Sequence, residues 1–195
     1  AAAAAAAGRA GDGLLLSRAT AWREGTVRDA QRAQADWIAA YREAFARTWA
    51  DTDRQPRALA SRAIYPHPDV AEAVHLVTPG VRRWQSWTSH GGDRGYTGVQ
   101  EYLADDHALL GPPEDLATEL AADPALAGIT DLLVSFVPGV PEPAEHQRLL
   151  RSTARDVAGA LGWTPARPTA PAIGRPSRRT DETPSRTTDY EVVHR

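Results

Sequence analysis

The side chains of this chain that could do chemistry are six histidines, a scatter of serines and a glycine-rich turn, and their spacing removes most reactions. His67, His75, His90, His107, His146 and His194 are dispersed, and no pair has the i, i+4 spacing of a helical zinc site. Ser17, Ser61, Ser86, Ser135 and Ser152 lack the Gly-x-Ser-x-Gly surroundings of a hydrolase nucleophile. There is no cysteine, hence no thiolate nucleophile, iron–sulfur site or disulfide framework. Gly8-Arg9-Ala10-Gly11-Asp12-Gly13 precedes an apolar run, whereas a dinucleotide loop follows a strand and opens a helix. It reads as a turn from helix to strand.

What remains is chemistry by position, which depends on the elements. Leu14-Leu15-Leu16 is a short continuous apolar run bounded by that turn and by Ser17-Arg18, the pattern of a parallel strand covered on both faces. From about Arg28 to Trp49, the residues Ala33, Trp37, Ala40, Tyr41, Ala44, Phe45 and Trp49 recur at helical steps. Ala58 to Tyr65 is a second strand candidate, closed by Pro66 and Pro68. Asp69 can cap a helix through Val70, Ala73, Val74 and Val77, which Pro79-Gly80 should end.

From Val81 to Tyr102, Trp84, Trp87, His90, Tyr96 and Tyr102 surround Gly91-Gly92, which reads as a loop or as a short helix and a loop. Pro113, Glu114 and Asp115 suit the first turn of a helix that runs to about Ala122. Ile129 to Val137 reads as a third strand apolar on both faces. Pro143 to Leu161, with His146, Leu149, Leu150, Thr153, Val157 and Leu161, reads as the helix packed on it. Strands alternating with helices imply an α/β fold with a parallel sheet and helical crossovers. Residues 164–195, rich in Pro, Thr and Arg, carry too few large apolar groups to fold, a stray strand within Tyr190 to His194 being the less favoured alternative. The expected organisation is one domain over 1–163 and a disordered tail.

In such sheets ligands bind at the carboxyl ends of the strands. That selects Ser17 and Arg18, Tyr65 and His67, and Ser135 and Phe136. Arg18 can attract an anionic group and Ser17 can donate to one, while a surface ion pair is the plainer role for Arg18. His67 is more simply a solvated loop residue, and Ser135 can cap its own backbone.

Composition narrows the partners. All 22 basic residues are Arg against 25 acidic residues, a formal charge of −3, which leaves no broad positive field for a nucleic acid. No apolar run approaches the roughly 18 to 20 residues of a membrane span. Ala1 to Ala7 lacks the charged flank and leucine-rich stretch of a signal peptide, so the cytoplasm is the default compartment. The chain opens without Met on residues that read as the inside of a helix, which suggests that others precede them.

Gly11-Asp12-Gly13-Leu14-Leu15-Leu16-Ser17-Arg18, Gly111-Pro112-Pro113-Glu114-Asp115-Leu116, Asp123-Pro124-Ala125-Leu126 with Thr130-Asp131-Leu132-Leu133-Val134, and Leu150 to Val157 with Ala160-Leu161-Gly162-Trp163 together resemble the flavin-dependent, luciferase-like monooxygenase family. The likeness covers most of residues 1–163. It implies a TIM-type (β/α)₈ barrel that binds reduced FMN at its carboxyl face and uses molecular oxygen. A whole barrel takes about 250 residues, so this chain corresponds to strands six to eight, namely Leu14 to Ser17, Ala58 to Tyr65 and Ile129 to Val137. By the same likeness Ser17 and Arg18 lie near the flavin ring and the phosphate-holding loop falls before or at Ala1, while their places at strand ends make Tyr65 and Ser135 the residues expected near a small organic substrate. The implied partners are a flavin reductase that supplies reduced flavin and further copies of the chain. A deazaflavin-dependent oxidoreductase of the same superfamily, or a non-catalytic barrel remnant that associates through its strand edge, are the alternatives.

Overall fold

The computed structural model describes residues 1–18, 26–88, 98–136 and 142–163, and the chain divides into two units, Ala1–Thr164 and Pro165–Arg195. His90, Tyr96, Val137, His194, the tail and its stray strand lie outside the described residues. In the first unit the elements run α1 (Ala2–Ala10), β1 (Leu14–Leu16), α2 (Val27–Trp49), β2 (Ala58–Pro66), α3 (Val70–Thr88), α4 (Val99–Asp105), β3 (Leu109–Gly111), α5 (Pro113–Ala121), β4 (Asp131–Phe136) and α6 (Pro143–Ser152).

All pairings are parallel, and β2 is the centre of the sheet. β1 pairs with the start of β2 and β3 with its end, while β4 runs along 59–64. Leu59, Ala60 and Ile64 each have a partner on both sides, so β1 and β3 share one edge of β2 and β4 takes the other. The three strands expected from the sequence are thus adjacent and codirectional. β3 is an addition, too short for any periodicity to announce. It ends at Gly111, whose φ of 149° favours glycine.

Alternation along β2 sorts the core. Ala58 and Ala60 pack with Leu16 against Ile38, Tyr41 and Phe45 of α2. Ile64 packs against Leu116, Ala117 and Leu120 of α5 and against Val157. On the other face Ala63 and Tyr65 meet Ala73, Val77 and Val81 of α3 and Tyr102 and Leu103 of α4. Helix α2 begins at a reciprocal cap, with Thr26 Oγ1 accepting from Asp29 N–H at 3.3 Å and the Asp29 carboxylate accepting from Thr26 N–H at 2.9 Å. Its buried stripe runs through Gln34, Ile38, Tyr41 and Phe45, with Trp37 and Trp49 only partly covered at its flanks.

Three expectations are corrected. Helix α3 does not stop at Pro79-Gly80 but continues to Thr88. Val77 and Val81, on either side of Pro79, are both fully packed, and this burial outweighs the hydrogen bond the proline removes. The last helix is interrupted by a π turn over Thr153–Val157 before a short helical turn at Ala158–Ala160. Finally, β1 and β4 are not covered on both faces: Leu15 is 68% and Leu133 53% exposed. Leu15 pairs with Leu59, and Leu133 lies two positions beyond Leu59's other partner, Asp131, so both leucines stand on one sheet face.

Candidate functional site

The carboxyl ends of the strands do not lie level. Leu16 pairs with Ala60 and Phe136 with Ile64, four positions further along β2, about 13 Å at the usual strand rise. Ser17 and Arg18 therefore form one group, and Tyr65, Ser135 and Phe136 another.

In the first group the Arg18 amide donates to Ser61 Oγ at 2.9 Å, and the carbonyl of Ser17 accepts from Gln34 Nε2 at 3.0 Å. These bonds fix the chain as it leaves β1. The Arg18 guanidinium then takes Asp106, in the turn before β3, through Nε–Oδ1 at 3.0 Å and Nη2–Oδ2 at 3.4 Å. Burial pushes the Asp106 carboxyl above the usual aspartate value, with Arg18 pulling the other way. Three N–H of Arg18 have no acceptor among the described residues, and its side chain remains 27% exposed. The backbone of His107, beside Asp106, has a φ of 49°, and burial holds its imidazole below the ordinary histidine value.

The second group is tied to α6. Tyr65, almost wholly buried, donates its hydroxyl to Glu145 Oε1 at 2.8 Å. Arg148 grips the same carboxylate at 2.6 and 2.8 Å and donates twice, at 3.1 Å, to the carbonyl of Pro66. Burial, with the neighbouring Glu145, pushes the Tyr65 phenol well above its ordinary value, and the Arg148 bonds hold Glu145 below that of a free carboxylate. His67 turns to its own loop, with Nδ1 2.7 Å from the Asp69 carbonyl oxygen, while Asp69 caps α3 through Ala71 and Glu72 N–H. Ser135 Oγ lies 3.4 Å from the Arg62 carbonyl, and Phe136 meets the His146 ring edge-on at 5.3 Å.

The sequence reading missed Arg62. It is buried in the middle of β2, bonded through Nε to Asp123 Oδ2 at 2.7 Å and through Nη2 to Gln34 Oε1 at 2.9 Å. A lone arginine in Ala58 to Tyr65 was the available signal, because a charge inside a covered strand requires a partner. Among the described residues no group of His, Asp and Glu could hold a metal ion, and no helix is long and apolar enough to cross a membrane.

No protein-family model and no curated protein matches the chain. Solved structures do. The monooxygenase RslO1 from Streptomyces bottropensis superimposes with a TM-score of 0.58 at 19% identity, over 81% of this chain and 44% of its own. Apo-MsnO8 gives 0.54 at 19%, over 85% and 49%. The oxygenating constituent of 3,6-diketocamphane monooxygenase from the CAM plasmid of Pseudomonas putida, a type II Baeyer–Villiger monooxygenase in complex with FMN, gives 0.53 at 17%, over 84% and 46%. The chain therefore spans less than half the length of these proteins and shares the fold of the part it covers.

Proposed function

We propose that the chain supplies strands six to eight of a flavin-dependent, luciferase-like monooxygenase barrel, oxygenating a small organic substrate. The observation that carries this reading is the match of four-fifths of the chain to a monooxygenase bound to FMN, with Arg18 at a strand's carboxyl end. Arg18 suits a flavin: beyond the two N–H held by Asp106, its guanidinium has three with no acceptor among the described residues, donors that match the carbonyl-rich edge of the ring, and the exposed Ser17 stands beside it. Reduced flavin, when bound, supplies the activation of molecular oxygen. The protein's part is orientation. Asp106 fixes the guanidinium and Ser61 fixes the backbone that carries it, so little order remains to be gained on binding.

The test is a fluorescence titration of FMN and of a deazaflavin with the purified chain and with Arg18→Ala. Saturable FMN quenching that the substitution weakens about tenfold supports the reading. Deazaflavin bound in preference to FMN transfers the chain to the reductase alternative, and no flavin bound at all ends the reading. A second reading, association without catalysis, is favoured by the exposed Leu15 and Leu133 on one sheet face.

A further inference from the structure

A cavity of about 300 Å³ lies against β2 between α2 and α5. Val27, Arg28 and Gln31 of α2 form one wall. Leu103, Ala104, His107, Ala108 and Leu109, around the turn into β3, form a second, and Glu119 and Leu120 of α5 a third. Arg62 and Asp123 line its inner end.

Arg62 makes this more than a packing gap. Its side chain is 7% exposed, and Nε donates to Asp123, Nη1 to the Ser61 carbonyl at 2.7 Å and Nη2 to Gln34. A guanidinium has five N–H. One on each terminal nitrogen therefore lacks an acceptor among the described residues, and Arg62 lines a cavity large enough for a small ligand.

The charges around it select the ligand. Arg28 and Arg62 balance Glu119 and Asp123, so an anion gains no net field and a cation meets Arg62. Most of the remaining lining, Val27, Leu103, Ala104, Ala108, Leu109 and Leu120, is apolar. We propose that this cavity is a binding site for a neutral carbonyl compound with an apolar body, its oxygen accepting from Arg62. The site lies behind β2, and Gln34 joins it to the end of β1, because the same amide accepts from Arg62 and donates to the Ser17 carbonyl.

Cyclohexanone is the probe, titrated into the full chain and followed by amide shifts of residues 103–109, with cyclohexane and cyclohexanecarboxylate as comparators. The ketone should bind at about 1 mM, as its size allows, and at least about tenfold more tightly than cyclohexane, the difference a hydrogen bond from a charged donor makes. Ala104→Leu, which narrows the mouth of the cavity and leaves Arg62 intact, should abolish the shifts. Should that variant not fold, Gln31→Phe at the wall is substituted for it. Equal affinity for ketone and cyclohexane, tighter binding of the carboxylate, or shifts that persist in the narrowed variant would each overturn the proposal. FMN titrated alongside separates this outcome from that of the flavin reading, since neither result requires the other.

Discussion

Arg18 and Asp106 stand 88 positions apart in the chain and meet through two hydrogen bonds, at 3.0 and 3.4 Å, that close the end of β1 onto the turn entering β3. The pair is partly buried on both sides, so it is screened less than an exposed ion pair. Its role is to fix the guanidinium rather than to saturate it.

Asp106→Asn tests that distinction. The amide can still accept one hydrogen bond but no longer neutralises Arg18, so the guanidinium is held less firmly and carries a less compensated charge. If Arg18 receives the flavin, FMN affinity should change by about threefold to tenfold, with the larger loss in Arg18→Ala. Fluorescence quenching measures both. An unchanged affinity in both variants removes Arg18 from the flavin site.

Asp123 answers a buried charge. Asp123→Ala leaves Arg62 in the interior with Ser61 and Gln34 as its hydrogen-bond partners among the described residues, and should cost about 3 to 5 kcal/mol. Replacing both members, Arg62→Met with Asp123→Leu, should cost much less, because no uncompensated charge is left inside. Urea unfolding of the two variants decides it. A double variant as unstable as the single one would show that the pair itself, and not the orphaned charge, carries the effect.

How far these features could be read in advance follows from their range along the chain. The runs Leu14 to Leu16, Ala58 to Tyr65 and Leu132 to Val134 announce strands because apolarity and bounding turns are local. Asp69 and Pro113 announce helix starts for the same reason. Pro79 misled because its cost is local whereas the burial of Val77 and Val81 that outweighs it comes from β2 and α4. At the site, strand ends pointed to Arg18 and Tyr65 but not to what holds them. Asp106 and Glu145 lie 88 and 80 positions away, and neither spacing carries a pattern. The offset of β1 against β4, which separates Ser17 and Arg18 from Tyr65 and Ser135, is a matter of register, and register is set by pairing.

His107 makes stability pH-dependent. Burial depresses its pKa in the folded chain, with Arg62 adding to the effect and Asp105 and Asp106 opposing it. The unfolded chain therefore takes up a proton first as pH falls through about 6.5, and stability declines from there toward the folded value. Asp106 acts in the opposite sense. Its folded pKa lies above 3.8, so its burial costs stability as pH rises from 3.8 through that value. His107→Asn, which retains a residue tolerant of positive φ, should lose less stability than the parent between pH 7 and pH 5. Urea midpoints at the two pH values provide the comparison. A parent and a variant with equal losses would mean that the imidazole has the same pKa in the folded and the unfolded chain.

Gly8 is where α1 and α2 touch backbone to backbone. A Cβ there would lie 2.4 Å from the Tyr41 carbonyl oxygen and 3.0 Å from the Phe45 nitrogen, atoms that cannot swing aside. Gly8→Ala should therefore destabilise by about 1 to 3 kcal/mol, although alanine is the better helix former. Thermal unfolding measures the sign: a stabilised variant would show that α1 can slide along α2 without loss.

Leu15 and Leu133 set the behaviour of the open sheet face. Two large apolar side chains on one face, 68% and 53% exposed beside the partly covered Leu59, favour association of the chain with itself or with another apolar surface. Neither contributes much burial where it stands, so Leu15→Ser with Leu133→Thr should leave the unfolding midpoint nearly unchanged. The double variant should also remain monodisperse at concentrations where the parent associates. Light scattering across a concentration series distinguishes the cases. Identical profiles for parent and variant would show that this face has no attraction to relieve, whereas a large drop in stability would show that the leucines are covered in solution.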